Sequence, residues 1–90
     1  MPDRLQYRIS PAVASTELDG EVTILDPRSG LYFGLEDVGG EVWRLLARPH
    51  TVRGICAALM DRFEVGPEEC ESDVVELLQE LVDRGLVEVV

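Results

Sequence analysis

The chain has 90 residues, 46% of them hydrophobic, a mean hydropathy near zero and a formal net charge of −10. These totals describe one folded domain with a modest core, and they exclude a disordered tail; no apolar run approaches the ~18 residues of a membrane span. All eight basic residues are arginines, and residues 61–90 set ten acids against Arg62 and Arg84, a face that repels phosphate backbones and can attract a basic peptide.

Residues 1–11 carry Pro2 and Pro11 with little periodicity and read as a flexible arm ahead of a single domain over 12–90. Met1-Pro2-Asp3-Arg4 lacks the basic segment and apolar core of a signal peptide, so a cytoplasmic location is expected. Residues 12–18 form a short mixed segment with Val13 and Leu18 as its apolar points. Asp19-Gly20 is a two-residue hairpin signal, because both turn positions favour positive φ. Glu21-Val22-Thr23-Ile24-Leu25-Asp26 reads as a β-branched strand, and Pro27-Arg28-Ser29-Gly30 reverses the chain again. Leu31-Tyr32-Phe33-Gly34-Leu35 is then the third strand of an antiparallel meander, with a glycine at a position suited to close backbone approach.

From Glu36 the period becomes helical. Asp37 is the expected cap, Val38, Val42, Leu45 and Leu46 share one face, and Trp43 falls at the edge of the core. Thr51 caps a second helix whose apolar stripe is Val52, Ile55, Cys56, Leu59, Met60 and Phe63, and within it Cys56 reads as core. Gly66-Pro67 opens the third helix, over about residues 68–84, with Glu68 and Glu69 at its positive end. Val74, Leu77, Leu78 and Leu81 make its core face. Val75 and Val82 widen the apolar stripe to a shoulder, as pocket or as core. Gly85 ends the helix, and residues 86–90 can add a short closing strand. The fold class expected is α+β, winged-helix-like, with a three-stranded antiparallel sheet followed by three helices.

Chemistry is conspicuous by its absence. His50 stands alone, neither cysteine has a histidine at a suggestive position, and Cys56 and Cys70 lack metal-ligand or redox spacing. No motif calls for a catalytic residue, a metal or a cofactor. A winged-helix outline suggests a DNA-binding regulator, yet the third helix carries seven acids and one arginine, with little counterion release to drive binding. A peptide-binding module is the stronger reading, since the strand over 31–35 has no lysine or proline guarding its edge. Self-association through that same edge, giving a weak dimer rather than a monomer, is a further option.

The ordered series Gly20-Glu21-Val22-Thr23-Ile24-Leu25-Asp26, Gly30-Leu31-Tyr32-Phe33-Gly34-Leu35 and Gly39-Gly40-Glu41-Val42-Trp43-Arg44-Leu45-Leu46 resembles PqqD-type proteins. It continues through Thr51-Val52-Arg53-Gly54-Ile55, residues 73–81 and Gly85-Leu86-Val87, so it spans about residues 12–88. Glu36-Asp37 stands where that family usually shows asparagine. The family comprises leader-recognition domains for ribosomally synthesised, post-translationally modified peptides. The resemblance implies a non-catalytic adaptor, most like the free-standing recognition protein of lasso-peptide clusters. Its precursor leader peptide would add as a strand beside 31–35, and a separate cysteine-protease-like leader peptidase would receive it. A chaperone for a pyrroloquinoline quinone precursor and its radical enzyme is the alternative. Carried over by position, the peptide-binding candidates are Leu31, Tyr32, Phe33, Gly34 and Leu35 on the strand, and Val75, Leu78 and Val82 on the third helix. Glu71 and Glu76 are rim charges that steer a basic leader. Strand alternation puts Tyr32 opposite Leu31 and Phe33, and leaves open which set faces the helices.

Overall fold

The computed structural model describes residues 4–90, and its first element lies inside the expected flexible arm. Strand β1 (Tyr7–Ile9) pairs antiparallel with the closing strand, Ile9 opposite Val87 and Tyr7 opposite Val89. Tyr7 is buried, and its N–H donates to the His50 carbonyl at 2.8 Å while the His50 N–H returns the bond at 3.0 Å. The Ser10 N–H donates to the Leu86 carbonyl. The arm expected over 1–11 is therefore corrected from Tyr7 onward: its partners lie far along the chain, where local periodicity carries no signal. Residues 1–3 of that arm lie outside the described residues.

The meander follows as β2 (Ala14–Leu18), β3 (Glu21–Asp26) and β4 (Leu31–Leu35), antiparallel in that spatial order. Asp19 and Gly20 take φ of +54° and +82°, the paired positive values a two-residue hairpin turn needs. Val22 and Ile24 of β3 are buried, and the helices α1 (Asp37–Leu45), α2 (Val52–Arg62) and α3 (Pro67–Asp83) pack on that face before β5 (Val87–Val89) closes the chain. The architecture is α+β. The closing strand joins β1 in a separate two-stranded sheet and leaves the meander with two free edges.

Ile24, Val42, Leu46, Ile55, Leu59, Leu78 and Leu86 form the fully buried centre. At Gly40 the first helix lies close to the sheet: a Cβ there would make ordinary contacts with the Leu35 carbonyl at 3.6 Å and with Val22 at 3.7 Å. The Thr51 hydroxyl accepts from the Gly54 N–H at 3.0 Å and caps α2 as expected. Asp37 does not cap α1: Glu36 holds the cap position, no side chain bonds there, and Asp37 takes φ +53°. Aspartate tolerates that left-handed conformation better than most residues. Trp43 lies deeper than an edge position. It is 3% exposed, and its Nε1–H donates to the Ser15 hydroxyl of β2. Leu18 is exposed on the outer face of β2, and Leu77 is only half-buried.

Both cysteines are free and buried where α2 meets α3. Burial, a hydrogen bond with Cys70 and the nearby charges of Cys70 and Glu71 push the Cys56 thiol up to about 12. The folded value lies above the unfolded one, so the neutral thiol favours folding. That contribution is complete below about pH 9 and is lost as pH rises toward 12. Urea unfolding at about pH 8 and about pH 10.5 is expected to register the loss, and Cys56→Ala is expected to shrink it. Equal alkaline losses in both proteins would assign the effect to other groups.

Candidate functional site

Cross-strand register divides the candidate strand into two faces. Leu31, Phe33 and Leu35 stand opposite Asp26, Ile24 and Val22, the buried residues of β3. They therefore share the helix side, whereas Tyr32 and Gly34 sit opposite Leu25 and Thr23 on the outer face. A Cβ at Gly34 would meet only the Glu21 side chain, at 3.8 Å, so no backbone crosses that glycine within the folded chain. Leu31 remains 57% exposed although it points to the helix side, and Phe33 and Leu35 are half-buried. The apolar row is incompletely covered.

β4 is the last strand of its sheet and has a strand partner on one side only. The other free edge, β2, lies against α1: Glu17 accepts from Arg44 at 2.6 Å and Ser15 accepts from Trp43. Of the two meander edges, β4 alone combines an open edge with an uncovered apolar row. A strand added there would find main-chain partners along one side and apolar side chains beneath it.

The end of α3 meets β4 where Arg84 lies over Phe33, and along its outer face the helix carries an open cleft of about 910 Å3 lined by its own residues and Arg84. Val75 is its apolar floor, bordered by Glu71, Glu76, Glu80 and Asp83, with Arg84 at the helix end. Val75 is half-buried and stands apart from the packed core, whereas Val82 packs against the core from its margin. Leu78 is 1% exposed and belongs to the centre of the core. The expectation that it lines the groove is corrected, since its side chain sits one turn after Val74 on the inward face of the helix. The structure thus brings Val75, Glu71 and Glu76 to one cleft on α3, sets Leu31, Phe33 and Leu35 on the helix side of β4, and turns the Tyr32 side chain to the outer face.

Two arginines absent from the sequence candidates join the strand to the helix. Arg84 lies over the Phe33 ring, 4.7 Å from its centroid, and Glu80 stands 3.4 Å from its Nε. Arg28, in the β3–β4 turn, donates from Nη2 to the Gly85 carbonyl at 2.8 Å. It also pairs with Asp26, whose carboxyl it holds below the usual carboxylate range. Neither contact had a sequence signal beyond the rarity of cations near an acidic helix. Among the described residues no group of three or more His, Cys, Asp or Glu side chains is placed to hold a metal, and no helix is long and apolar enough to cross a membrane.

The family model described as coenzyme PQQ synthesis protein D (PqqD) matches residues 21–87. Among solved structures, TbiB1 in complex with the TbiA(beta) leader peptide is 34% identical, with 90% of this chain and 94% of that chain covered and a TM-score of 0.84. A lasso peptide synthetase B1 complexed with the leader peptide is 26% identical over 91% of this chain and 96% of that one, with a TM-score of 0.81. A comparison with curated proteins gave no match.

Proposed function

Since the chain belongs to the PqqD family, we propose that it is a recognition element that binds the leader of a ribosomally synthesised precursor in lasso-peptide biosynthesis. The observation that carries this reading is the open edge of β4, whose uncovered apolar row meets the end of α3 where Arg84 lies over Phe33. It is supported by the likeness, over nine-tenths of the chain, to a protein solved with a leader peptide. The leader adds as a fourth strand beside Leu31 to Leu35. Main-chain hydrogen bonds hold it, and alternate side chains descend toward Leu31, Phe33 and Val75. Glu71 and Glu76, at the rim, act on the rate of encounter with a basic leader more than on final affinity.

The chain itself contributes binding and no chemistry. It presents the leader to a separate cysteine-protease-like peptidase in the cytoplasm, as a monomer whose docking edge is filled by the peptide. The family description favours a second reading, a pyrroloquinoline quinone precursor as the bound peptide. The acidic α3 wall disfavours nucleic acid in either case.

Calorimetry with the TbiA(beta) leader, and with the leader of a precursor encoded beside this chain's gene, tests the proposal. Micromolar or tighter binding, about −8 kcal/mol or better, is expected for one of them. No heat at tens of micromolar with either would sink it, and binding of a pyrroloquinoline quinone precursor alone would select the second reading.

A further inference from the structure

The β4 edge and the α3 wall belong to different elements, and a peptide wedged between them works against any looseness in their spacing. At one end they are tied. The Asp26 carboxylate, at the end of β3 and buried, accepts from the Arg28 N–H at 3.0 Å and from Arg28 Nε at 2.9 Å. The guanidinium so held reaches across to the Gly85 carbonyl through Nη2 at 2.8 Å. Gly85 follows α3 at φ +73°, and a Cβ there would come within 3.1 Å of that same Nη2. The neighbouring Arg84 rests on Phe33, so two consecutive residues at the end of α3 touch the β3–β4 hairpin.

The hairpin turn has a closure that does not involve the Arg28 side chain. The Gly30 N–H donates to the Asp26 carbonyl at 2.8 Å, and the Arg28 side chain is half exposed and outside the core. What the guanidinium adds is a fixed distance between hairpin and helix, and a planar fork is suited to hold a carboxylate and a carbonyl together. We propose that Arg28 is a positioning residue for the leader: clasped between Asp26 and Gly85, it sets the width of the β4–α3 groove before the peptide arrives. This rests on the leader-binding reading above. Preorganisation of this kind lowers the ordering cost of binding rather than adding a contact to the peptide.

The test compares wild type with Arg28→Gln, Arg28→Lys and, as a control for lost charge, Arg53→Gln on the exposed face of α2, using the TbiA(beta) leader and the neighbouring-gene leader as probes. Arg28→Gln is expected to bind about tenfold more weakly, Arg28→Lys to recover part of the loss, and Arg53→Gln to match wild type. Hydrogen exchange on the free proteins supplies a readout independent of the peptide. Positioning predicts faster exchange confined to β4 and the last turn of α3 in Arg28→Gln. A merely structural role raises exchange across β2, β3 and β4 alike and overturns the proposal. Wild-type affinity in Arg28→Gln overturns it too, with leader binding intact. If wild type binds neither leader, the leader reading falls and the clasp's role falls with it.

Discussion

Replacing Glu41 by alanine is expected to cost about 2–3 kcal/mol, a large share of the roughly 5–13 kcal/mol available to a domain of this size. Glu41 lies on α1 and is 7% exposed, an unusual place for a carboxylate in a chain of net charge −10. Its two oxygens accept from Arg44 at 3.1 Å and from Arg62, the last residue of α2, at 2.8 Å. Arg44 in turn bonds Glu17 of β2 and reaches the Gly20 carbonyl in the hairpin turn. One acid therefore ties the first two helices together and, through Arg44, ties both to the sheet. The arginines are partly exposed, so without Glu41 water can solvate them. The expected loss accordingly falls short of the ~3–5 kcal/mol seen when a partner is left buried and unpaired. Glutamine keeps the volume and one acceptor, and Glu41→Gln is expected to cost about 1 kcal/mol. At roughly 4–8 °C per kcal/mol, the alanine variant melts about 10–20 °C lower. Equal melting temperatures for wild type and the alanine variant would mean that the pairs contribute nothing net.

Local signals were legible beforehand, whereas the Glu41 network, which joins distant residues, was not. Asp19-Gly20, the Pro27 to Gly30 turn, the Thr51 cap and the Gly66-Pro67 start are local signals, and each marks its element in the fold. The helix faces were legible through spacing: Val42, Ile55, Leu59, Val74 and Leu81 are all buried. What failed was long-range or rotational. β1 is three residues long and is held by β5 and the His50 backbone, so no periodicity within residues 1–11 could reveal it. Asp37 looked like a cap by residue type, yet its backbone took the left-handed conformation. On α3, spacing placed Leu78 on the core face and Val75 and Val82 on the shoulder, and only the family resemblance grouped the three as groove candidates. Their separation depends on how the helix is rolled against the core, which only the packed partners decide. Arg28 and Arg84 reach the far side of the groove through contacts that join distant parts of the chain.

That roll and the β4 register turn the groove into a sharp expectation. Val75→Asp is expected to weaken leader binding about 100-fold, because it replaces the one apolar side chain of a cleft bordered by Glu71 and Glu76 with a carboxylate that the peptide would desolvate. Leu31→Gln is expected to cost about tenfold. A neutral replacement suits that site, since Asp26 stands directly opposite and a second carboxylate there would repel it. Tyr32→Gln provides the matched control: one residue along, it leaves the same main-chain edge but changes the outer face, and binding within about threefold of wild type is expected. None of the three side chains belongs to the packed core, so helical circular dichroism should persist in all three. The order matters more than any one value. Strong loss with Tyr32→Gln and little with Leu31→Gln would place the peptide on the outer face of the sheet, away from α3. Equal loss with Leu31→Gln and Tyr32→Gln but none with Val75→Asp would point to the strand edge as a whole, with specificity residing in backbone pairing rather than in the groove.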